Sequence, residues 1–167
     1  MFVKPYKVVS NSMKEVISSG DLVYTIKNLG LSTYKRNDIL SFKKETNITF
    51  IKRALAVSGD TIFFKNDFIQ INGSQIPHDS IFGMMVEESA NTDSSEYYSA
   101  TAYSEYLLSR SGIKELFGKY ILAERNGLVV PVDYYFMVGD NYYESMDSRF
   151  WGFIPEKDIT GKIIFIF

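Results

Sequence analysis

Residues 49–73 read TFIKRALAVSGDTIFFKNDFIQING, and this stretch decides the class of fold. Its apolar runs are short, rich in Ile, Val and Phe, and each is closed by Gly, Asn or Asp, which is the punctuation of strands and turns. TIFF (61–64) and FIQI (68–71) are separated by Lys65, Asn66 and Asp67, a hairpin-length connection, and Asn72-Gly73 offers a second turn before Ser74, Gln75 and Ile76. The stretch is therefore read as a β-meander. Runs of the same kind lie outward in both directions: DLVYTIK (21–27) and DILSF (38–42) upstream, YILAE (120–124), YYFMV (134–138) and ITGKIIFIF (159–167) downstream. The expected fold is mainly β, of antiparallel sheets. Between these blocks the chain changes character. EESANTDSSEYYSATAYSEY is polar and Ser-rich, and SEYLLSRSGIKELFG carries Leu107, Leu108, Ile113, Leu116 and Phe117 at roughly helical spacing, so residues 78–118 are read as an inserted, partly helical lobe. With 167 residues, 46% of them hydrophobic, the whole of 1–167 is expected to form a single domain.

Composition removes several classes of chemistry. The net charge is -2 and the Lys and Arg residues are spread along the chain, so no basic footprint for nucleic acid is present and no nucleic-acid partner is expected. Zero cysteines exclude disulfides, a thiol nucleophile and thiolate metal sites. The single histidine, His78, follows Pro77 at the edge of the lobe and is read as a surface-loop residue. Neither a metal nor a cofactor is expected. The longest apolar runs, IIFIF and YYFMV, fall far short of the ~18 to 20 residues that span a bilayer. The N-terminal MFVKPYKVV also lacks the apolar region and cleavage site of a secretory signal, so the expectation is a chain that is not exported or one whose anchor has been removed.

Two short stretches carry candidate chemistry. In SNSMKE (10–15), Ser12 and Glu15 have the spacing of a capping box, which would start a short helix ended by Gly20; the same Ser12 is a candidate nucleophile if a base reaches it. The candidate base is Lys52. At the period of two of a strand, Lys52 shares a face with Phe50, Ala54 and Ala56, while Arg53 shares the other with Ile51, Leu55 and Val57. Either Lys52 snorkels to water, or it is buried, in which case desolvation lowers its pKa from ~10.4 toward neutrality.

Taken with MVGDNYYESMDSRFWGFIPEKDITGK (137–162), these stretches resemble the boxes of type I signal peptidases, membrane-anchored serine proteases that use a Ser/Lys dyad to remove signal peptides from exported proteins. Ser10-Asn11-Ser12-Met13 with Gly20-Asp21 and Lys27 resembles the nucleophile box; Arg36, Asp38, Ile39 and Phe42 the next strand; Lys52-Arg53 with Gly59-Asp60 the lysine box. Gly139-Asp140-Asn141, Ser145, Asp147, Ser148, Arg149, Trp151, Gly152 and Pro155 resemble the C-terminal box. The resemblance covers most of 5–72 and 129–162 and leaves the lobe unmatched. Two departures stand out: Asn11 replaces the usual Gly between the serines, and Lys14-Glu15 stands where the family has Pro two residues beyond Met.

The resemblance implies a signal-peptidase-like β-fold and a set of roles. Ser12 is then the nucleophile and Lys52 the general base; the Ser12 N–H and the Ser10 hydroxyl hold the oxyanion; Ser145 bonds and orients the lysine amine. Asp140, Asp147, Arg53 and Arg149 are read as ionic scaffold bracing the lysine strand, and Trp151 as core. The implied substrates are signal-peptide-bearing preproteins with small residues at the first and third positions before the cut. The implied location is the outer side of a bacterial inner or cytoplasmic membrane, with the catalytic domain at the membrane surface and the anchor missing from the chain as given. Two other readings stay open: a catalytically silent relative that binds signal peptides or a partner, and a specialised pilin-maturation peptidase.

Overall fold

In the computed structural model, the described residues are 3–27, 34–44, 48–64, 68–77, 127–141 and 144–167. Strands dominate: β1 Val3–Lys7, β2 Leu22–Ile26, β3 Ile39–Lys43, β4 Thr49–Val57, β5 Thr61–Phe64, β6 Phe68–Ile71, β7 Ser74–Pro77, β8 Leu128–Val129, β9 Tyr134–Val138, β10 Ile154–Pro155 and β11 Ile159–Ile166. One α-helical turn, α1, covers Ser148–Trp151, and a 3-10 turn follows at Glu156–Asp158. The expected strands within the described residues all form, and β1, β8 and β10 join them. YILAE and the lobe at 78–118 lie outside the described residues.

The chain divides into two compact units, residues 1–59 with 130–167 and residues 60–129. The second holds a four-stranded sheet of order β7-β6-β5-β8. Its β5–β6 and β6–β7 pairs are antiparallel, and Asn72 (φ 49°) and Gly73 (φ 84°) make the β6–β7 turn with the left-handed backbone that Asn and Gly adopt most readily.

The first unit is a seven-stranded antiparallel sheet of order β1-β2-β11-β3-β4-β9-β10. Hydrophobic clusters form on it in two places. Leu40, Phe42, Ala54, Tyr135, Met137, Ile154 and Ile159 make one, with Phe50, Val57 and Trp151 packed against it. Val8, Met13, Ile17, Val23 and Ile163 make the other, with Tyr6, Ile39 and Ile51 against it. Residues 50, 51 and 54 therefore alternate as a strand should. The alternation breaks at Leu55, where the β4–β9 register jumps from Ala54↔Met137 to Ala56↔Phe136. That bulge puts Val57, rather than the expected Ala56, in the Phe50–Ala54 cluster.

Candidate active site

Three segments build the site, and each is fixed by its own local chemistry. The first joins β1 to β2. Val8 and Asp21 extend the hairpin, with the Val8 N–H donating to Asp21 O (2.9 Å) and the Gly20 N–H to Val8 O (2.9 Å); Gly20, at φ 104°, turns the chain into β2. Between them the chain makes turns: Lys14 N–H to Asn11 O (3.0 Å), then Val16 and Ile17 N–H to Met13 O (2.9 and 2.7 Å). The helix that the Ser12–Glu15 spacing suggested does not form. A single turn around Met13 replaces it, and the Ser12 side chain meets Lys52 instead of capping a helix.

That engagement is with the second segment, strand β4. Lys52 is only 3% exposed, and its Nζ donates to Ser12 Oγ, itself in a 6% exposed residue. The snorkelling alternative is thereby excluded. The register pairs Lys52 with Leu40 on β3, so an apolar neighbour flanks its stem. Burial lowers the Lys52 pKa from 10.5 to about 8; Asp147 opposes that shift, Arg149 adds to it and Asp140 opposes it. An amine with this pKa is neutral in a substantial fraction of molecules at mildly alkaline pH, as a general base requires.

The third segment runs from the end of β9 to α1. Asp147 is fully buried and accepts five hydrogen bonds: from Ser145 Oγ (2.6 Å), Gly139 N–H (3.0 Å), Arg149 N–H (3.2 Å), Arg149 Nε (2.8 Å) and a terminal nitrogen of Arg149 (2.9 Å). Its carboxylate also caps α1. Ser148, which is buried too, takes the Met137 N–H on its Oγ (2.8 Å) and so ties this turn to β9. Next to Lys52, Arg53 grips Asp140 through two hydrogen bonds of 2.7 and 2.6 Å and donates to Asn37 O (2.8 Å). The ionic scaffold expected of Arg53, Asp140, Asp147 and Arg149 is formed as two Arg–Asp pairs.

The four candidate residues are placed as follows. Ser12 and Lys52 meet directly. Ser10 Oγ lies 3.3 Å from Ser12 Oγ, on the exposed side of the same loop. The Ser145 hydroxyl donates to Asp147, and among the described residues its hydrogen bond is to that carboxylate and not to Lys52. Gly139 brings Ser145 to the nucleophile loop: a Cβ at 139 would overlap both Ser145 Oγ and the Ser12 carbonyl oxygen. Ser148 and Asn141 carry structural hydrogen bonds whose partners the sequence did not indicate, since a Ser in a turn and an Asp-Asn pair both read locally as turn chemistry. Lys14 and Glu15 are exposed beside the loop. Among the described residues no group of three or more His, Asp or Glu could hold a metal, and no helix is long and apolar enough to cross a membrane. His78 lies outside them.

Chemically, a hydroxyl against a buried amine of lowered pKa is the arrangement by which an amine can activate a nucleophile, and a backbone N–H beside that hydroxyl can serve as an oxyanion donor. Relatives carry this description further. Signal peptidase I of Aquifex aeolicus is 30% identical over 97% of this chain and 74% of its own length. Signal peptidase I V of Bacillus subtilis is 31% identical over 95% of this chain and 82% of its own, and signal peptidase I of a Buchnera aphidicola strain is 28% identical over 98% and 69%. The family described as signal peptidase, peptidase S26, matches residues 1–167 from end to end. With that match along its full length, the chain belongs to the signal peptidase family of serine endopeptidases.

Proposed function

We propose that this chain cleaves signal peptides from exported preproteins, with Ser12 as nucleophile and Lys52 as general base. The observation that carries the proposal is the buried Lys52 amine set on the Ser12 hydroxyl. Neutral Lys52 takes the Ser12 proton as Oγ attacks the scissile carbonyl carbon. The carbonyl π bond opens to an oxyanion held by the Ser12 N–H and the Ser10 hydroxyl. The lysine ammonium then protonates the leaving amine as the C–N bond breaks, giving an acyl-enzyme and the free N-terminus of the mature protein. Water gives a proton to the same lysine as it attacks the ester carbonyl, and the ammonium returns that proton to Ser12 Oγ as the acyl–Oγ bond breaks, releasing the signal peptide and restoring the free hydroxyl and neutral lysine. Asp147 and Asp140 favour the ammonium that exists between these steps, while burial favours the amine that begins them.

Met13 and Ile51, the chain neighbours of Ser12 and Lys52, pack into the buried cluster of Val8, Ile17, Val23 and Ile163, which anchors the reactive pair to the core. The family resemblance implies small side chains at the first and third positions before the cut. A membrane-proximal location is supported by exposed apolar side chains: Val9 next to Ser10, Met146 next to Ser145, and Phe165 and Phe167 at the end of β11. Ser12→Ala and Lys52→Met should each cut cleavage of a preprotein by at least ~10³-fold. Full activity in Ser12→Ala would remove the proposal. Sedimentation with liposomes tests the membrane contact, which Phe165→Ser with Phe167→Ser should weaken.

A further inference from the structure

We propose that Asn141 is a positioning residue for the oxyanion hole, fixing both peptide planes that flank the nucleophile. This inference rests on the assignment of Ser12 as nucleophile. Asn141 reaches across 130 positions of sequence to make two contacts with the nucleophile loop. Its side-chain Nδ2 donates to the Asn11 carbonyl oxygen (3.1 Å), and its backbone N–H donates to the Ser12 carbonyl oxygen (3.1 Å).

The peptide group explains why these bonds matter. The Asn11 carbonyl and the Ser12 N–H are opposite ends of one planar trans amide, so whatever holds the oxygen aims the hydrogen. The Asn11 oxygen accepts twice, from Asn141 Nδ2 and from the Lys14 N–H (3.0 Å), which occupies both of its lone pairs. Donors on the oxygen also polarise the amide and make its N–H a stronger donor. No backbone carbonyl among the described residues takes that N–H. The second contact, at the Ser12 oxygen, fixes the next plane, so the φ and ψ of Ser12 are set from one residue. The flanking residues reinforce the contact: the Asp140 N–H points to Met13 Sδ (3.4 Å), and Gly139 lies flush against the Ser12 carbonyl. Arg53, paired with Asp140, ties this strip to the strand that carries Lys52. One strip of chain thus registers the oxyanion donor against the base.

The test compares Asn141→Ala, the near-isosteric Asn141→Asp and Ser12→Ala with the wild-type chain. Three readouts are taken: steady-state cleavage of a fluorogenic peptide with a signal-peptide cleavage site, binding of the matching peptide aldehyde, which forms a tetrahedral adduct with a serine hydroxyl, and binding of the corresponding unreactive alcohol. A misplacement of about 1 Å costs on the order of 10²-fold in rate. Asn141→Ala should therefore lose roughly tenfold to a hundredfold in kcat with KM within twofold. Its aldehyde affinity should fall by the same factor, with alcohol affinity and the pH of the activity rise unchanged. Asn141→Asp, which sets an acceptor against the Asn11 oxygen, should fall further. An Asn141→Ala protein with wild-type kcat overturns the proposal, as does a loss shared equally by aldehyde and alcohol or accompanied by a displaced pH profile. If Ser12→Ala is inactive while Asn141→Ala is fully active, only the positioning role fails; if Ser12→Ala stays active, the nucleophile assignment fails and takes this inference with it.

Discussion

Replacing Lys52 by Met should make the protein more stable while abolishing its activity. Lys52 is 3% exposed and its pKa falls from 10.5 to about 8, with desolvation by burial as the largest cause. At ~1.36 kcal/mol per pH unit, the ammonium is held in the folded state at a cost of about 3 kcal/mol relative to the unfolded chain. The sign follows from proton counting. Between pH 8 and 10.5 the unfolded chain retains a proton that the folded chain has released, so wild-type stability rises through that window; below it both forms are charged and the cost is present in full. Methionine has a similar length and no charge, and it forfeits the hydrogen bond to Ser12, worth about 1 kcal/mol. Near pH 7 the variant should therefore be the more stable by roughly 2 kcal/mol, with the advantage gone by about pH 9.5 to 10 and reversed by up to about 1 kcal/mol at pH 10.5, where only the lost hydrogen bond remains. Urea unfolding at pH 7, 9 and 10.5 measures it. Trp151, the only tryptophan, is the reporter, since its ring packs on Phe50 at 4.8 Å between centroids. Taking the difference between the two proteins cancels Tyr135, whose hydroxyl pKa is raised by burial and by its bond to Glu156 in both. Parallel stability curves for the two proteins across this range would refute the reasoning, because they would mean that folding leaves the Lys52 ammonium undisturbed.

Activity should follow the same group with the opposite requirement: kcat/KM should climb about tenfold per pH unit below pH 8 and level off above it, and an optimum near pH 5 would count against a lysine base. Gly139→Ala should cost about 1 to 3 kcal/mol in stability and at least tenfold in kcat, because the added methyl overlaps Ser145 and the Ser12 carbonyl; urea denaturation with steady-state kinetics checks both. Arg149→Met and Asp147→Asn should displace the pH profile in opposite directions, upward when the arginine is lost and downward when the carboxylate is neutralised, and shifts of the same sign would contradict the electrostatics. Arg149→Met also leaves Asp147 buried without a cation and should destabilise by roughly 3 to 5 kcal/mol.

The strands were legible wherever apolar runs ended at Gly, Asn or Asp, and YYFMV coincides with β9 to the residue. Those missed are of two kinds. β8 and β10 are two-residue strands, too short to show alternation, and β1 is an edge strand whose Lys-Pro-Tyr-Lys is largely solvent-facing, so it carries no apolar pattern. The bulge at Leu55 was invisible for another reason: TFIKRALAV has apolar residues on both faces after Arg53, so nothing in it marks where the alternation slips. At the site, Ser12 and Lys52 could be named because a family pattern joined two segments that local reasoning left ambiguous. Local reasoning alone offered a helix cap for Ser12, and that failed because the Ser12 hydroxyl is committed to Lys52 on a distant strand, a contact that local spacing does not encode. The reach of Asn141 depends on how β9 returns to the loop, which no spacing in the sequence encodes.

The two Arg–Asp pairs flanking Lys52 explain how one sheet can keep a base near pH 8 while lining it with carboxylates. A lone Asp147 or Asp140 would pull the ammonium back toward its ordinary pKa and leave no free base near neutrality. Each carboxylate is instead committed to a guanidinium, Asp147 to Arg149 and Asp140 to Arg53. Arg149 partly offsets the field of Asp147 at the lysine, and desolvation is left as the controlling influence. The carboxylates are nonetheless needed, because their five-fold and bidentate hydrogen bonds hold Ser145, Gly139 and the strip to Asn141 in register with β4. Pairing them internally lets the same residues order the site without titrating its base. The residual attraction from Asp147 and Asp140 then acts when the lysine has taken the Ser12 proton, which is the moment in the cycle when a favoured ammonium lowers the barrier.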